Sequence, residues 1–142
     1  MKLVTHLLDT KGRHIISVAP DSSVFDAIQL MADQAVGSLL VMKDDELLGI
    51  VTERDYARKV ILKGRSSETT TVAEVMTSDV LTASSAQTVN DCMELMTERR
   101  IRHLPVVEDN RVIGMISIGD LVQAIISDQQ EAIEQLEHYI SG

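Results

Sequence analysis

Residues 49–55 decide the fold, and they read Gly-Ile-Val-Thr-Glu-Arg-Asp. A second copy follows 65 positions later, where residues 114–120 read Gly-Met-Ile-Ser-Ile-Gly-Asp. In both copies a glycine opens a short apolar strand, a hydroxyl residue follows, and an aspartate stands three positions later in a new helix. The first N–H groups of a helix lack intrahelical partners and lie at the positive end of its dipole, so this arrangement suits an anion such as phosphate.

The same residues also have a purely structural interpretation. Thr52 and Ser117 are good helix N-caps, and Asp55 and Asp120 stand at the third helical position, where an acidic side chain completes a capping box. Either copy taken alone favours a cap over a ligand site. The duplication and the residues around it favour the ligand site.

The duplication extends over most of the chain. Each copy predicts a strand, an amphipathic helix, two strands joined by a polar turn, and a second helix. Identical pairs at the 65-residue offset include Val24/Val89, Asp26/Asp91, Leu30/Leu95, Met31/Met96, Leu39/Leu104, Val41/Val106, Gly49/Gly114 and Asp55/Asp120. An ungapped repeat implies two similar halves related by pseudo-twofold symmetry. Because a half of about 55 residues is marginal alone, we expect the two sheets to bury their faces together.

Apolar spacing and turn residues predict the domain boundaries. The predicted segments are a short helix (3–10), the first repeat (12–64), a polar linker (65–71), the second repeat (72–128) and a helical extension (129–142). The first strand of each repeat is expected at 15–18 and 80–82, and the last helix of the first repeat should turn Tyr56, Val60 and Ile61 inward. The extension continues an apolar stripe past a finished core, which favours a homodimer.

Composition excludes several classes of function. A net charge of −9 and 2% aromatic residues argue against a nucleic-acid surface. No apolar run approaches the roughly 20 residues that span a bilayer, and the N-terminus lacks the apolar core of a secretory signal. The single cysteine, Cys92, fits a reducing cytoplasm and is expected to be a core residue. The histidines show no metal-ligand spacing, so no metal is expected.

Two tandem strand–helix–strand–strand–helix units, each ending in Gly-apolar-apolar-Thr/Ser-x-x-Asp, resemble a pair of cystathionine β-synthase (CBS) domains, or Bateman module. The resemblance covers roughly residues 4–128 and is close to small stand-alone bacterial CBS-pair proteins, of which the stretches 52–59 and 102–106 are typical. It implies an α/β (α+β) fold of two β-α-β-β-α repeats packed through their sheets. It also implies binding of an adenosyl ligand in clefts between the repeats: AMP, ADP or ATP, and sometimes NAD or S-adenosylmethionine.

The resemblance also implies roles for particular residues. Asp55 and Asp120 would hold ribose hydroxyls, and Thr52 and Ser117 would lie by the ribose or phosphate. Adenine would enter between the first strand and the loop into the second strand. The positions carried over are Ile16, Ser17, Val18, Val36, Gly37 and Ser38 in the first site, and Leu81, Thr82, Ala83, Ile101, Arg102, His103, Leu104 and Pro105 in the second. Arg54 and Gly119, which are variable positions inside the two motifs, complete the candidate set.

The chemistry of these residues agrees with that assignment. One carboxylate matches a vicinal diol, because it accepts two charge-assisted hydrogen bonds. Phosphates need cations close by, and local cations outweigh a distant net charge at physiological salt. The local candidates are Arg54, Arg58 and Lys59 in the first repeat, and Arg99, Arg100, Arg102 and His103 in the second. The arginine run is equally consistent with a solvated helix end, and His103 with packing at the start of a strand.

The two predicted sites are not equivalent. The second motif has Ile118-Gly119 where the first has Glu53-Arg54, and Gly37 is expected to leave room beside the first adenine while Arg102 adds charge beside the second. One nucleotide would then bind more tightly than the other, or a dinucleotide such as NAD would use the asymmetry. The residues leave both alternatives open.

Three classes of function follow. The leading one is a non-catalytic cytoplasmic sensor that binds an adenine nucleotide and responds through its conformation or dimer packing. An enzyme is disfavoured, because we find no defensible Ser-His-Asp order, Cys-His pair, Walker loop or metal cluster in the sequence. The third is an interaction subunit whose motifs are only caps. CBS pairs usually regulate an enzyme, channel or transporter, so an effector protein of unknown identity is expected.

Overall fold

The computed structural model describes residues 2–141, so the first residue of the chain and the last residue of the predicted extension lie outside it. The helices are α1 (Val4–Lys11), α2 (Val24–Gln34), α3 (Glu53–Tyr56), α4 (Val72–Val75), α5 (Val89–Arg99) and α6 (Ile118–Ser141), and a π-helical turn (Ala57–Ile61) continues α3. The strands are β1 (Ser17–Val18), β2 (Ser38–Lys43), β3 (Glu46–Thr52), β4 (His103–Glu108) and β5 (Arg111–Ser117). The predicted mixed α/β class is confirmed.

The chain divides into two compact units that do not follow the sequence order of the repeats. One unit is the continuous segment Ile15–Leu81, and the other joins the residues up to His14 to those from Thr82 onward. The short helix that precedes each repeat therefore belongs to the unit of the other repeat. Helix α1 packs with the second repeat, and α4 packs with the first.

The first repeat forms a three-stranded sheet in the order β1-β2-β3. Strands β1 and β2 are parallel, with Ser17 opposite Leu40, and β2 and β3 form an antiparallel hairpin. Three consecutive β2 residues are fully buried, which requires cover on both faces of the strand. One core cluster joins this sheet to α2, α3 with its π-helical turn, and α4; its buried members are Val24, Ala27, Met31, Leu39, Val41, Val51, Val60, Val72 and Val75.

Helix α3 and its π-helical turn correct one sequence expectation. Val60 is fully buried and Tyr56 packs against the core, as predicted, but Ile61 is 56% exposed. Adjacent residues of a helix point about 100° apart, so Val60 and Ile61 do not both reach one core. Val60 lies four residues after Tyr56, on the same face, and takes the buried position.

The second repeat has the hairpin β4-β5 but lacks the strand predicted at 80–82. In this part of the described chain only Ala83 pairs with β4, where its N–H donates to Pro105 and its C=O accepts from Val107. The reason is at position 105. Its counterpart in the first repeat, Leu40, donates its N–H to the carbonyl of Ile16, the residue before β1, whereas proline has no N–H to donate.

Both motif glycines permit a close approach to a neighbouring segment. A Cβ on Gly49 would lie 2.7 Å from the carbonyl oxygen of Thr77, which pairs with Ile50 through two hydrogen bonds. A Cβ on Gly114 would lie 2.6 Å from Cδ2 of Leu8, a fully buried residue of α1. The glycines thus let the segment after α4 lie against β3, and α1 lie against β5.

Candidate functional site

Both motifs lie where a hairpin ends and a helix begins. Thr52, the last residue of β3, pairs with Ser38, the first residue of β2. The N–H of Glu53 donates to the carbonyl of Gly37 at 3.1 Å, which binds the loop before β2 to the start of α3. The first repeat therefore brings the predicted ribose-binding motif and the predicted adenine loop together.

The second repeat reproduces this junction at the same offset. Ser117 pairs with His103 across β4 and β5, and the N–H of Ile118 donates to the carbonyl of Arg102 at 2.9 Å. The junction forms although the side chains differ, because the linking hydrogen bond joins backbone atoms.

Each motif forms the capping box that its residues predict. The N–H of Asp55 donates to Thr52 Oγ1 at 3.1 Å, and Asp55 Oδ2 accepts from the N–H of Thr52 at 3.0 Å. The N–H of Asp120 donates to Ser117 Oγ at 3.1 Å, and Asp120 Oδ2 accepts from the N–H of Ser117 at 2.8 Å. These bonds hold both carboxylates in fixed orientations at the ends of the hairpins.

Each motif carboxylate has a lysine partner, and the two lysines come from different places. In the first repeat, Lys59 lies one turn after Asp55 and places Nζ 3.1 Å from Oδ1. In the second repeat, Lys11 at the C-terminus of α1 donates to Asp120 Oδ2 and to the carbonyl of Met115. Sequence reasoning missed Lys11, because it is 109 residues from Asp120. The repeat gives no signal of this contact either, because Met76, the counterpart of Lys11 at the 65-residue offset, carries no charge.

Charge and burial shift two pKa values at the second motif. Burial alone would raise the pKa of Asp120, but the hydrogen bond from Lys11, the hydrogen bonds from Ser117 and the charge of Lys11 lower it. Burial lowers the pKa of His103, and the nearby charges of Lys11 and Arg102 lower it further against the opposing effect of Asp120. At neutral pH Asp120 is therefore ionised and His103 is uncharged.

The remaining candidates of the first site lie mostly along the sheet. Ile16 and Val18 are half-buried against the core together with Val36, while Ser17 is exposed. Glu53 corrects the expectation of free space at Gly37, since its Oε1 would lie 3.3 Å from a Cβ on that glycine.

The candidate residues of the second site differ in burial. Ala83, Leu104 and Pro105 are buried, Ile101 is half-buried, and Thr82, Arg102 and Gly119 are exposed. Leu81 is half-buried and belongs to the other compact unit.

The predicted phosphate-binding cations differ in their exposure and in their partners. Arg54 and Arg58 are exposed on α3 and its π-helical turn. Arg99 ends α5 and Arg100 caps it with a left-handed φ of 56°, which is the arrangement expected of a solvated helix end. Lys59 is engaged internally, because it also donates to the carbonyl of Val75 at 2.8 Å.

Three other features bear on the chemistry. Cys92 is fully buried, and burial, with a smaller effect of Asp91, raises the pKa of its thiol. Within residues 2–141, no group of three or more His, Cys, Asp or Glu side chains is placed to hold a metal ion. Over the same residues, no helix is both long enough and apolar enough to cross a membrane.

The family model described as the CBS domain matches residues 10–62 and 72–127. The chain belongs to the CBS-domain family. The resemblance seen in the sequence is thereby confirmed, and the two matches correspond to the two repeats. A pair of CBS domains is a regulatory module, and the matched residues make up most of this chain.

Known CBS proteins resemble the chain in sequence and in structure. A solved CBS-domain protein from Burkholderia ambifaria is 50% identical, with a TM-score of 0.85 over 90% of this chain and 96% of that one. The mitochondrial CBS domain-containing protein CBSX3 of Arabidopsis thaliana is 45% identical over 86% of this chain, which spans 62% of the length of the plant protein. The CBS-domain pair of protein MJ0100, solved with 5′-methylthioadenosine and S-adenosyl-L-methionine, is 25% identical, with a TM-score of 0.79 over 90% of this chain and 98% of that one.

Proposed function

We propose that this CBS-domain pair is a non-catalytic sensor that binds an adenosyl ligand, AMP, ADP, ATP or NAD, at its two Thr/Ser-x-x-Asp motifs. The observation that carries the proposal is the backbone junction in each repeat, where the predicted adenine loop is hydrogen-bonded to the first residue of the motif helix. A carboxylate beside that junction suits the two hydroxyls of a ribose. The adenosyl ligands of the MJ0100 pair support the same ligand class.

A thermal-shift panel tests the proposal. A ligand at about 100 times its dissociation constant adds roughly 2.7 kcal/mol, which raises the midpoint by roughly 5–11 °C for a chain of this size. We expect a rise with at least one adenine nucleotide, reduced in Asp55→Ala or Asp120→Ala.

Matched controls are available at the other helix starts. Asp26 and Asp91 stand in the first turns of α2 and α5, outside the motifs, so Asp26→Ala and Asp91→Ala alter a helix start but leave both proposed sites intact. These controls should keep the full ligand-induced rise. No rise with any adenosyl compound, for protein free of carried-over nucleotide, contradicts the proposal.

An interaction subunit whose motifs serve only as helix caps is the second candidate. The observation that favours it is that the residues of each motif already form a complete capping box with one another. In that case Asp55→Ala and Asp120→Ala would lose only cap energy, about 1 kcal/mol each, and no nucleotide would change the midpoint. The same panel therefore separates the two candidates.

We further propose that the chain forms a homodimer through a stripe of residues along α6. Ile126, Ile133 and Ile140 recur every seven residues, and Val122, Gln129 and Leu136 stand four positions before each of them. This is the spacing of a two-stranded parallel coiled coil with Ile at a positions and mainly apolar d positions. Most of the stripe is exposed, with Leu136 at 64% and Ile140 at 77%. A second copy presents the same stripe, so it is a self-complementary partner.

Sedimentation equilibrium tests the dimer. Ile133→Glu places a charge in the centre of the stripe and should give a monomer. Gln135→Glu adds the same charge two residues away, outside the a and d positions, and should leave the dimer intact. A dimer that persists in Ile133→Glu excludes the stripe as the interface.

A further inference from the structure

The two motif carboxylates differ in exposure and in spare hydrogen-bonding capacity. The Asp55 side chain is 11% exposed, and both its oxygens are engaged, one by Thr52 and the other by Lys59. The Asp120 side chain is 25% exposed, and only Oδ2 has partners, so within residues 2–141 Oδ1 accepts no hydrogen bond. A carboxylate oxygen offers about two acceptor sites, so Asp120 can take a ribose hydroxyl without giving up an existing bond.

The groups beside the two motifs also differ in charge. The carboxylate of Glu53 lies over Gly37, at the junction that joins the loop to the first motif. Its counterpart in the second motif is Ile118, which carries no charge. A phosphate at the first motif therefore meets a second carboxylate, whereas at the second motif it does not.

Lys11 increases this contrast. It reaches the second motif from α1, and its ammonium contacts Asp120 Oδ2, the oxygen that also completes the capping box. A ligand hydroxyl on the spare Oδ1 would leave the ammonium in place beside the ligand. A fixed cation at that point favours an anionic substituent, because hydrogen bonds between charged groups are the strong ones.

We propose that the second-repeat motif is the higher-affinity adenosyl site, and that Lys11 makes it select phosphorylated ligands over uncharged adenosine. The first-repeat motif is the weaker site and discriminates less, because Glu53 offsets its cations. This inference rests on the proposed function and adds to it the order of the two sites and the residue that sets their preference.

Isothermal titration of the whole chain with ADP and with adenosine tests the proposal. In the unsubstituted protein ADP should bind more tightly than adenosine in the high-affinity phase. Asp120→Asn should remove that phase, and Asp55→Asn should keep it. Lys11→Met, which installs the residue found at the equivalent position after α4, Met76, should weaken ADP about tenfold or more and change adenosine less than about twofold.

Two further variants serve as controls. Lys2 pairs with Asp128 of α6 at 3.4 Å, so Lys2→Met removes a lysine–aspartate pair of the same unit away from the motif and should change neither affinity. Lys11→Arg keeps the charge and should retain most of the preference for ADP, and adenosine binding that is nearly unchanged in Lys11→Met excludes a folding defect in that variant.

Each alternative outcome overturns the proposal in a recognisable way. Equal weakening of ADP and adenosine in Lys11→Met means that Lys11 only positions Asp120. Loss of the high-affinity phase in Asp55→Asn means that the first-repeat motif, and not the second, is the tighter site. Binding of no adenosyl compound by any form of the protein removes the proposed function itself, and with it this inference.

Discussion

Replacing Gly114 by alanine would place a methyl group where the side chain of Leu8 already lies. The new Cβ would lie 2.6 Å from Leu8 Cδ2 and 3.2 Å from Cδ1, whereas non-bonded carbons prefer about 3.5–4.0 Å. Leu8 is fully buried, so a movement of roughly 1 Å has to be absorbed by a packed core. Overpacking of this kind costs about 1–3 kcal/mol of unfolding free energy.

A double-mutant cycle isolates the contact. Leu8→Ala alone should cost about 2–5 kcal/mol, because it leaves a cavity. In that background Gly114→Ala meets no obstacle, so the double variant should be about 1–3 kcal/mol more stable than the sum of the single changes predicts.

Equilibrium urea unfolding followed by far-ultraviolet circular dichroism measures each step. With a slope of about 1–3 kcal/mol per molar urea, a 2 kcal/mol effect moves the midpoint by about 1 M. Gly119→Ala is the matched control: its Cβ would lie 3.6 Å from Ser117 Oγ, and inside a helix alanine should gain about 0.5–1 kcal/mol. Additive effects of Gly114→Ala and Leu8→Ala, within about 0.5 kcal/mol, would refute the assignment of Leu8 as the obstacle.

Three further predictions concern titrating groups. Lys11→Met should raise the pKa of His103, because the Lys11 charge helps to lower it; an imidazole titration by NMR that shows no change would contradict their proximity. Since the folded-state pKa of Asp120 lies below its ordinary value of 3.8, its contribution to stability is present above about pH 4 and is lost as the pH falls through the folded pKa. Unfolding curves of Asp120→Asn and the unsubstituted protein should therefore differ at pH 7 and converge at low pH. Cys92 should react with a thiol reagent only after unfolding, because its thiol is buried and its pKa is raised; rapid reaction of the folded protein at neutral pH would be inconsistent with that burial.

The elements and the repeat were predictable because they rest on local patterns. Apolar spacing identifies α2 and α5, and the same 65-residue offset aligns both hairpins. The lost strand at 80–82 was also within reach of the sequence, since Pro105 is visible there and proline removes a ladder donor. The strand predicted at 80–82 was wrong because the prediction rested on the apolar residues alone. It did not consider that Pro105 has no N–H to donate to this segment.

Contacts between residues that are distant in sequence could not be predicted from it. Nothing in the spacing of residues indicates that Lys11 meets Asp120, or that Leu8 lies over Gly114, because α1 is remote in sequence from the repeat it joins. The position of Glu53 over Gly37 depends on a side-chain conformation, which pattern reasoning does not give. The motif carboxylates were found because a short fixed spacing encodes them. Lys59, four residues after Asp55, was found as a candidate cation, whereas Lys11 was missed because the tertiary fold brings it to Asp120.

The exchange of α1 and α4 between the units has a consequence for synthesis on the ribosome. The unit Ile15–Leu81 is continuous, so all its parts have emerged before the second repeat is complete. Helix α1 emerges before the second repeat with which it packs, since Lys11 and Asp120 are separated by 109 residues. At about 5–20 residues per second that interval is roughly 5–20 s, during which the apolar face of α1, with Val4, Leu7 and Leu8, has no β5 to cover it. Of the described elements, α1 is thus made before all the others and is completed late in its packing, and a nascent chain halted before β5 would expose it to chaperones.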